Sequence, residues 1–204
     1  MTKPVIGLTG GIACGKSTVA EMFKRRGALL VDADELARLI VMPGTEGLAA
    51  IVAEFGETVL DENGSLDRKA LGDRVFADEA ARKKLNAITH PRIAVAGMHK
   101  IGALQNEIGP YILYEAALLV ESGSYRSFFG LIVVSANEAT QLSRLMARDQ
   151  SSEADAKARI ASQFPMSEKI AVADYVINNE GDLEQTEAQV ETVHRALLSR
   201  IASQ

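Results

Sequence analysis

The sequence predicts an α/β fold: a parallel, doubly wound sheet of five strands flanked by helices. Three observations carry that expectation. Five short apolar runs recur between longer stretches of helical spacing. The first run, Val5-Ile6-Gly7-Leu8, lacks polar alternation, as a strand covered on both faces requires. A glycine-rich turn follows it and opens directly into a helical pattern.

Composition bounds the rest. The 204 residues suffice for one sizeable core, or a core plus an inserted subdomain. A 47% hydrophobic and 24% charged composition is that of a globular protein. A net charge of −5 argues against nucleic-acid or membrane binding through bulk charge. The single cysteine allows no internal disulfide and fits a reducing, cytoplasmic setting. No apolar run approaches the ~20 residues of a membrane span. Met1-Thr2-Lys3-Pro4 leads straight into the first strand, so no signal peptide is expected.

Residues 4–8 form the first expected strand. Then comes Gly10-Gly11-Ile12-Ala13-Cys14-Gly15-Lys16-Ser17, which fits the phosphate-loop pattern G-x-x-x-x-G-K-[ST]. Glycines allow a tight turn that aims backbone N–H groups at phosphate oxygens, and the following helix N-terminus adds partial positive charge. Gly11 to Thr18 are therefore expected to bind a nucleoside triphosphate. Lys16 reaches the β- and γ-phosphates and the Ser17 hydroxyl ligates Mg²⁺. The helix covers 16–26 and ends at Gly27. A second strand, 28–31, is followed by Asp32-Ala33-Asp34 and a helix over 35–41. Acids at this end of a strand lie where open α/β sheets bind ligands. Asp32 serves equally well as a helix cap. Asp34 is the candidate for chemistry.

Pro43-Gly44-Thr45 breaks the pattern. Residues 46–55, 67–76 and 78–88 have helical spacing, with turns at Gly56 and at 61–64. His90-Pro91 is expected to open another helix over 92–106, with proline at its first position. No strand is evident, and the length exceeds a simple crossover. Residues 43–109 therefore read as a helical insertion that binds an acceptor, between core segments 1–42 and 110–204. Gly109-Pro110 marks the return, and a third strand, 111–115, ends in Glu115, a candidate metal-facing acid. A fourth strand covers 129–134. Helices over 137–149 and 153–163 carry Arg144, Arg148 and Arg159, and Pro165 ends the second. Residues 146–166 are expected to form a helical lid over the phosphates. The fifth strand covers 173–177, followed by a turn and a last helix over 182–202.

Phosphoryl transfer requires position and charge more than covalent chemistry. The loop holds the donor, arginines neutralise the moving phosphoryl group, and an acid near the acceptor hydroxyl takes its proton. One strand over from the loop, Asp34 suits that role. The set describes a small-molecule kinase. A GTPase is disfavoured, since neither N-K-x-D nor a D-x-x-G after the third strand is present. Another nucleoside or nucleotide kinase, and a nucleotide-dependent switch ATPase, remain open at this point.

The blocks Thr9 to Thr18, Asp32-Ala33-Asp34 with Arg38, and Leu66-Asp67-Arg68 with Leu71 and Phe76 occur in that order. Leu85-Asn86 with His90-Pro91, Leu118 to Glu121, and Arg148-Asp149 with Arg159 and Gln163 follow. Ala173 to Ile177 with Asn179 and Gly181 complete the series. Together they resemble the dephospho-CoA kinases along nearly the whole chain. The resemblance implies a P-loop kinase fold and ATP-dependent, Mg²⁺-assisted phosphorylation of the ribose 3′-hydroxyl of dephospho-CoA. It implies Asp34 as the catalytic aspartate, Arg148 as the lid arginine and Asn179 at the adenine. It also makes Arg68, His90 and Leu118 acceptor-site candidates. For His90 a structural role between helices is the plainer reading. Ala117 stands where the family commonly has proline, and Glu115 where it often has aspartate. Cys14 reads as a small loop filler, with a lowered thiol pKa at the helix terminus as the alternative. Small-molecule substrates and a monomer or weak homo-oligomer are expected.

Overall fold

The computed structural model describes residues 2–203; Met1, Gln204 and the side chains of Phe76 and Ala77 lie outside the described residues. The elements run β1 (Val5–Gly10), α1 (Lys16–Arg25), β2 (Leu29–Asp32), α2 (Ala33–Leu39), α3 (Glu46–Phe55), α4 (Arg68–Ala77) and α5 (Glu79–Leu104). They continue with β3 (Ile112–Glu115), β4 (Gly130–Ser135), α6 (Glu138–Asp149), α7 (Glu153–Ala161), α8 (Met166–Ala171), β5 (Tyr175–Asn178) and α9 (Leu183–Ala202). The chain divides into two compact units. One comprises the residues up to Val31 together with those from Leu104 onward; the other runs from Asp32 to Ala103.

The first unit is built on a five-stranded parallel sheet in the order β2-β3-β1-β4-β5. β1 is its centre, pairing with β3 from Val5↔Ile112 to Leu8↔Glu115 and with β4 from Ile6↔Gly130 to Gly10↔Val134. Every residue of β4 is buried, the expected pattern for a parallel strand covered on both faces. Ile6, Leu8, Leu113, Ile132 and Val134 pack with Val19 and Phe23 of α1 and Val190 and Leu197 of α9. Leu131 and Val133, pointing the other way from β4, pack with Leu119 and Val120. Each such side chain, fully withdrawn from water, contributes about 1.5–3 kcal/mol.

The second unit has a separate core of Val41, Ile51, Phe55, Val59, Leu71 and Ala81. Its helices start on side-chain caps. Asp32 Oδ1 accepts from the amides of Asp34 (2.8 Å) and Glu35 (3.2 Å), so Asp32 is the cap of α2. Thr45 caps α3 and Asp67 caps α4. The 61–64 turn is closed by Asp61 Oδ1, which accepts from the amides of Asn63 and Ser65.

Three expectations need correction. The strand that leads to Asp34 is not next to the strand that leads to the loop, because β3 is inserted between β2 and β1. His90-Pro91 does not begin a helix: Pro91 lies inside the continuous 26-residue α5. Proline removes one ladder hydrogen bond and crowds the preceding turn. The bond lost is the one to the carbonyl of Ala87, an exposed residue that water can reach; beside it, Thr89 Oγ1 donates to the Leu85 carbonyl and Arg92 Nη1 to that of Ile88, at 2.9 and 2.7 Å. Both His90 and Pro91 are exposed, so the ring meets water rather than a packed neighbour. His90 is therefore neither a cap nor a packing element between two helices. The third correction is α8, a six-residue helix after Pro165 where no element was expected; its length is too short for periodicity to show.

A buried polar pair ties α9 to β3. The Tyr111 hydroxyl lies 2.7 Å from His194 Nδ1, with Tyr111 fully buried and His194 nearly so. A neutral imidazole protonated at Nε2 accepts the phenolic hydrogen bond at Nδ1. Burial pulls His194 below its usual 6.5, outweighing the opposing pull of Glu191, and the Arg26 charge adds to the lowering. The unfolded chain therefore binds a proton that the folded chain resists. Stability is full above about pH 6.5 and is lost as pH falls from there toward the depressed native value. The urea midpoint is expected to be level above pH 7 and to decline between pH 6.5 and 5. In His194→Gln that decline should flatten; an equally steep decline in the variant would assign the pH dependence elsewhere.

Candidate active site

Because β1 is the central strand, its carboxyl end delivers residues 11–15 between the ends of β3 and β4. The loop turns back on itself through a hydrogen bond from the Cys14 amide to the Gly11 carbonyl, 3.2 Å. Ala13 (φ 59°) and Gly15 (φ 83°) occupy the left-handed region. For alanine that conformation costs roughly 1–2 kcal/mol, strain of the kind the surrounding structure holds at ligand sites. Gly15 is required on a second count, since a Cβ there would collide with Asn179 Nδ2. α1 begins at Gly15 with no side-chain cap and no acid in its first turn, while Lys24 and Arg25 occupy its last. Its first-turn N–H groups are thus left to a ligand, and the helix dipole favours an anion.

Outside the loop, side chains brace it from distant parts of the chain. Asn179 Nδ2 donates to the Cys14 carbonyl at 2.8 Å, and Asn179 Oδ1 accepts from Thr186 Oγ1 at 3.0 Å. The Asn179 carbonyl accepts from Arg144 Nη2 at 2.9 Å, and its amide donates to the Ser135 carbonyl. The Ile12 amide donates to Gln163 Oε1 at 2.8 Å. The hydroxyl of Ser17 donates to Glu115 Oε1 at 2.9 Å, with Glu115 buried at the end of β3. These hard oxygen donors suit Mg²⁺, which keeps several waters and takes substrate phosphate oxygens rather than an all-protein cage. Among the described residues no group of three or more His, Cys, Asp or Glu could hold a metal.

Beyond β3, Ala117 replaces the proline of the resembled pattern, yet the backbone there is tied. Its carbonyl accepts from Thr9 Oγ1 (3.1 Å) and from Lys169 Nζ (3.2 Å). Fully buried Lys169 also pairs with Glu121, whose Oε1 accepts the Phe164 amide at 3.1 Å. The stem of the expected lid is thereby joined to the segment after β3.

Arg148, largely exposed at the end of α6, donates to both carboxylate oxygens of Asp149, and Arg159 of α7 donates to the same group. These two arginines hold the Asp149 carboxyl down to about 2, the Arg148 hydrogen bond contributing most. Gln150 follows in the left-handed conformation. Leu118 is 46% exposed. In the second unit, Asp34 is exposed in the first turn of α2, Arg68 is exposed at the first position of α4, and His90 is exposed on α5.

Cys14 is completely buried. Burial pushes its thiol up, and this outweighs the lowering from the Ala136 and Gly11 backbone and from the Lys16 and Lys169 charges. The lowered-pKa alternative for Cys14 is thereby corrected: desolvation outweighs the backbone hydrogen bonds and the nearby lysine charges.

Sequence reading missed the bracing residues Arg144, Gln163 and Thr186 and the buried Lys169–Glu121 pair. Gln163 and Glu121 were visible only as parts of the family resemblance. Asn179 was read as facing the adenine; its carboxamide is spent on Cys14 and Thr186.

Comparison with known proteins bears on this arrangement. The family model described as dephospho-CoA kinase (CoaE) matches residues 4–185. The dephospho-CoA kinase of Geobacter sulfurreducens is 47% identical over 189 residues, covering 93% of this chain and 96% of that protein. A crystal structure from Thermus thermophilus superposes with a TM-score of 0.81 at 33% identity, over 97% of this chain and 99% of the other. The dephospho-CoA kinase of Campylobacter jejuni gives 0.70 at 31% identity, over 96% and 97%.

The burial of Cys14 is directly testable. Iodoacetamide at pH 7.5 is expected to leave native protein essentially unlabelled and to label one thiol stoichiometrically in urea. Rapid native labelling would show the thiol exposed and ionised.

Proposed function

The chain belongs to the dephospho-CoA kinase family, and on that premise we propose how its residues transfer the γ-phosphoryl group of ATP to the ribose 3′-hydroxyl of dephospho-CoA. The products are coenzyme A and ADP, and the reaction is the final step of coenzyme A biosynthesis. The observation that carries the reading is the phosphate loop itself, strained at Ala13, uncapped at α1 and braced by Asn179.

In this assignment the amides of residues 11–18 and the Lys16 ammonium bind the donor phosphates. Asp34 accepts the proton of the 3′-hydroxyl. The O3′–Pγ bond forms as the bond from Pγ to the β,γ-bridging oxygen breaks, and that oxygen leaves on ADP. Arg148, exchanging Asp149 for phosphate oxygens, neutralises charge on the transferring group and helps exclude water. Mg²⁺ would be held by Ser17, with Glu115 beside it, and would neutralise charge on the β- and γ-phosphate oxygens. Asn179 supports ATP at the adenine-side turn. Residues 43–109 form the acceptor-binding insertion, with Arg68 available to an acceptor phosphate, and His90 and Leu118 as further acceptor contacts. Residues 146–166 are the lid.

Among the described residues no helix is long and apolar enough to cross a membrane. With its cysteine buried and reduced, the protein is assigned to the cytoplasm. In this assignment it acts as a monomer or weak homo-oligomer. Small molecules, not nucleic acid, are its partners, as its net charge of −5 favours.

The test is ADP release in a coupled assay with ATP and Mg²⁺. Dephospho-CoA is expected to support turnover while shikimate and adenosine do not. Asp34→Asn should lower kcat by about 10²–10⁴-fold and retain ATP binding. Turnover of the other alcohols without dephospho-CoA would overturn the substrate, and an undiminished rate in Asp34→Asn would remove that residue from catalysis.

A further inference from the structure

Asn179 follows β5, at the turn expected to face the adenine ring, yet it is 5% exposed and all four of its polar groups are engaged inside the protein. Its amide donates to Ser135 at the end of β4, and its carbonyl accepts from Arg144 of α6. Its carboxamide spans from Thr186 of α9 to the Cys14 carbonyl in the loop. Thr186 itself is completely buried, and its hydroxyl oxygen also lies 3.1 Å from the Asp182 carbonyl. Gly15 lacks the Cβ that would block this approach.

The consequence follows from peptide geometry. In a planar trans peptide the C=O and the next N–H point in opposite directions, and no cis bond occurs among the described residues. Holding the Cys14 oxygen outward, toward Asn179, therefore turns the Gly15 N–H to the other side of the same plane. That side is the concave face where the loop gathers its phosphate donors. Without a partner the withdrawn Cys14 carbonyl would carry the penalty of a buried, unsatisfied acceptor. A flipped Cys14–Gly15 plane would relieve it and spoil the anion site.

We infer that Asn179 is a positioning residue that clamps the Cys14–Gly15 peptide in its phosphate-binding orientation, so that the turn after β5 acts on the donor phosphates through the loop. The inference rests on the reading of the loop as the triphosphate site. It assigns the carboxamide to the phosphates' binding surface rather than to recognition of the base.

The experiment measures affinities for three probes, ATP, inorganic tripolyphosphate and adenosine, by calorimetry on wild-type protein and Asn179→Ala. Circular dichroism and thermal melting establish that the variant is folded. The clamp predicts that tripolyphosphate and ATP each lose about tenfold or more, while adenosine binds as before. Loss confined to adenosine, with tripolyphosphate unaffected, would make the carboxamide a base ligand and overturn the clamp. Equal losses for all three would mark a general structural role and overturn it too, as would no loss at all. Wild-type protein that binds neither ATP nor tripolyphosphate would instead remove the triphosphate site, and the clamp with it. If Asn179→Ala does not fold, Thr186→Val carries the test. It preserves shape while deleting the donor that orients Asn179 Oδ1, and it should show the same phosphate-selective loss at smaller amplitude.

Discussion

The structure depends on one constraint: the first turn of α1 must keep its N–H groups away from the protein's own acceptors. Most helices here satisfy those groups with Asp, Thr, Asn or Ser caps, as α2, α3, α4, α6, α7 and α9 do. α1 does not, and its cap position is a left-handed glycine. A glycine at the cap costs only a few tenths of a kcal/mol relative to a good side-chain cap, and the strained Ala13 adds roughly 1–2 kcal/mol. The cost is carried by the central sheet, where β1 is buried from Ile6 to Gly10 and paired on both sides. The position most rigidly fixed by packing is thus the one that presents a polar backbone to a ligand.

Around that loop the supporting contacts converge from far along the chain. The sequence separations are 165 residues for Cys14–Asn179, 151 for Ile12–Gln163 and 98 for Ser17–Glu115. Each supporting residue sits at or just beyond the end of a strand, or just past α7. Changes in those later segments therefore act directly on the phosphate loop. Lys169 and Glu121 extend the same logic, since a buried ion pair with added hydrogen bonds has few alternative arrangements. It joins α8 to the segment after β3, while Ala117 stands where the resembled pattern has proline.

What the sequence made legible follows from how local each signal is. The loop, Lys16 and Ser17 were readable because strand, turn and helix are contiguous and the glycine spacing has a mechanical reason. The five strands were readable as apolar runs, and the capping role of Asp32 was one of two foreseen. Pro91 misled because proline usually ends or opens a helix; in α5 the carbonyl that loses its ladder donor belongs to exposed Ala87, which water can reach. α8 escaped notice because six residues hold fewer than two turns. The turn around Asn179 was read as the adenine side, and its carboxamide hydrogen-bonds Cys14 and Thr186. Nothing in the residues flanking it records a contact with Cys14. Cys14 itself illustrates a contest of magnitudes, in which burial overrides backbone hydrogen bonds and two lysine charges.

The central claim, that this loop directs a phosphoryl group onto one hydroxyl of one acceptor, is tested most directly by the position of the new phosphate on the product. Dephospho-CoA turned over with ATP should be examined by phosphorus–proton correlation NMR. A monoester phosphorus resonance coupled to the ribose H3′ proton is the predicted result. Phosphate on the 2′-hydroxyl, or ADP released with the acceptor unmodified, would contradict the account.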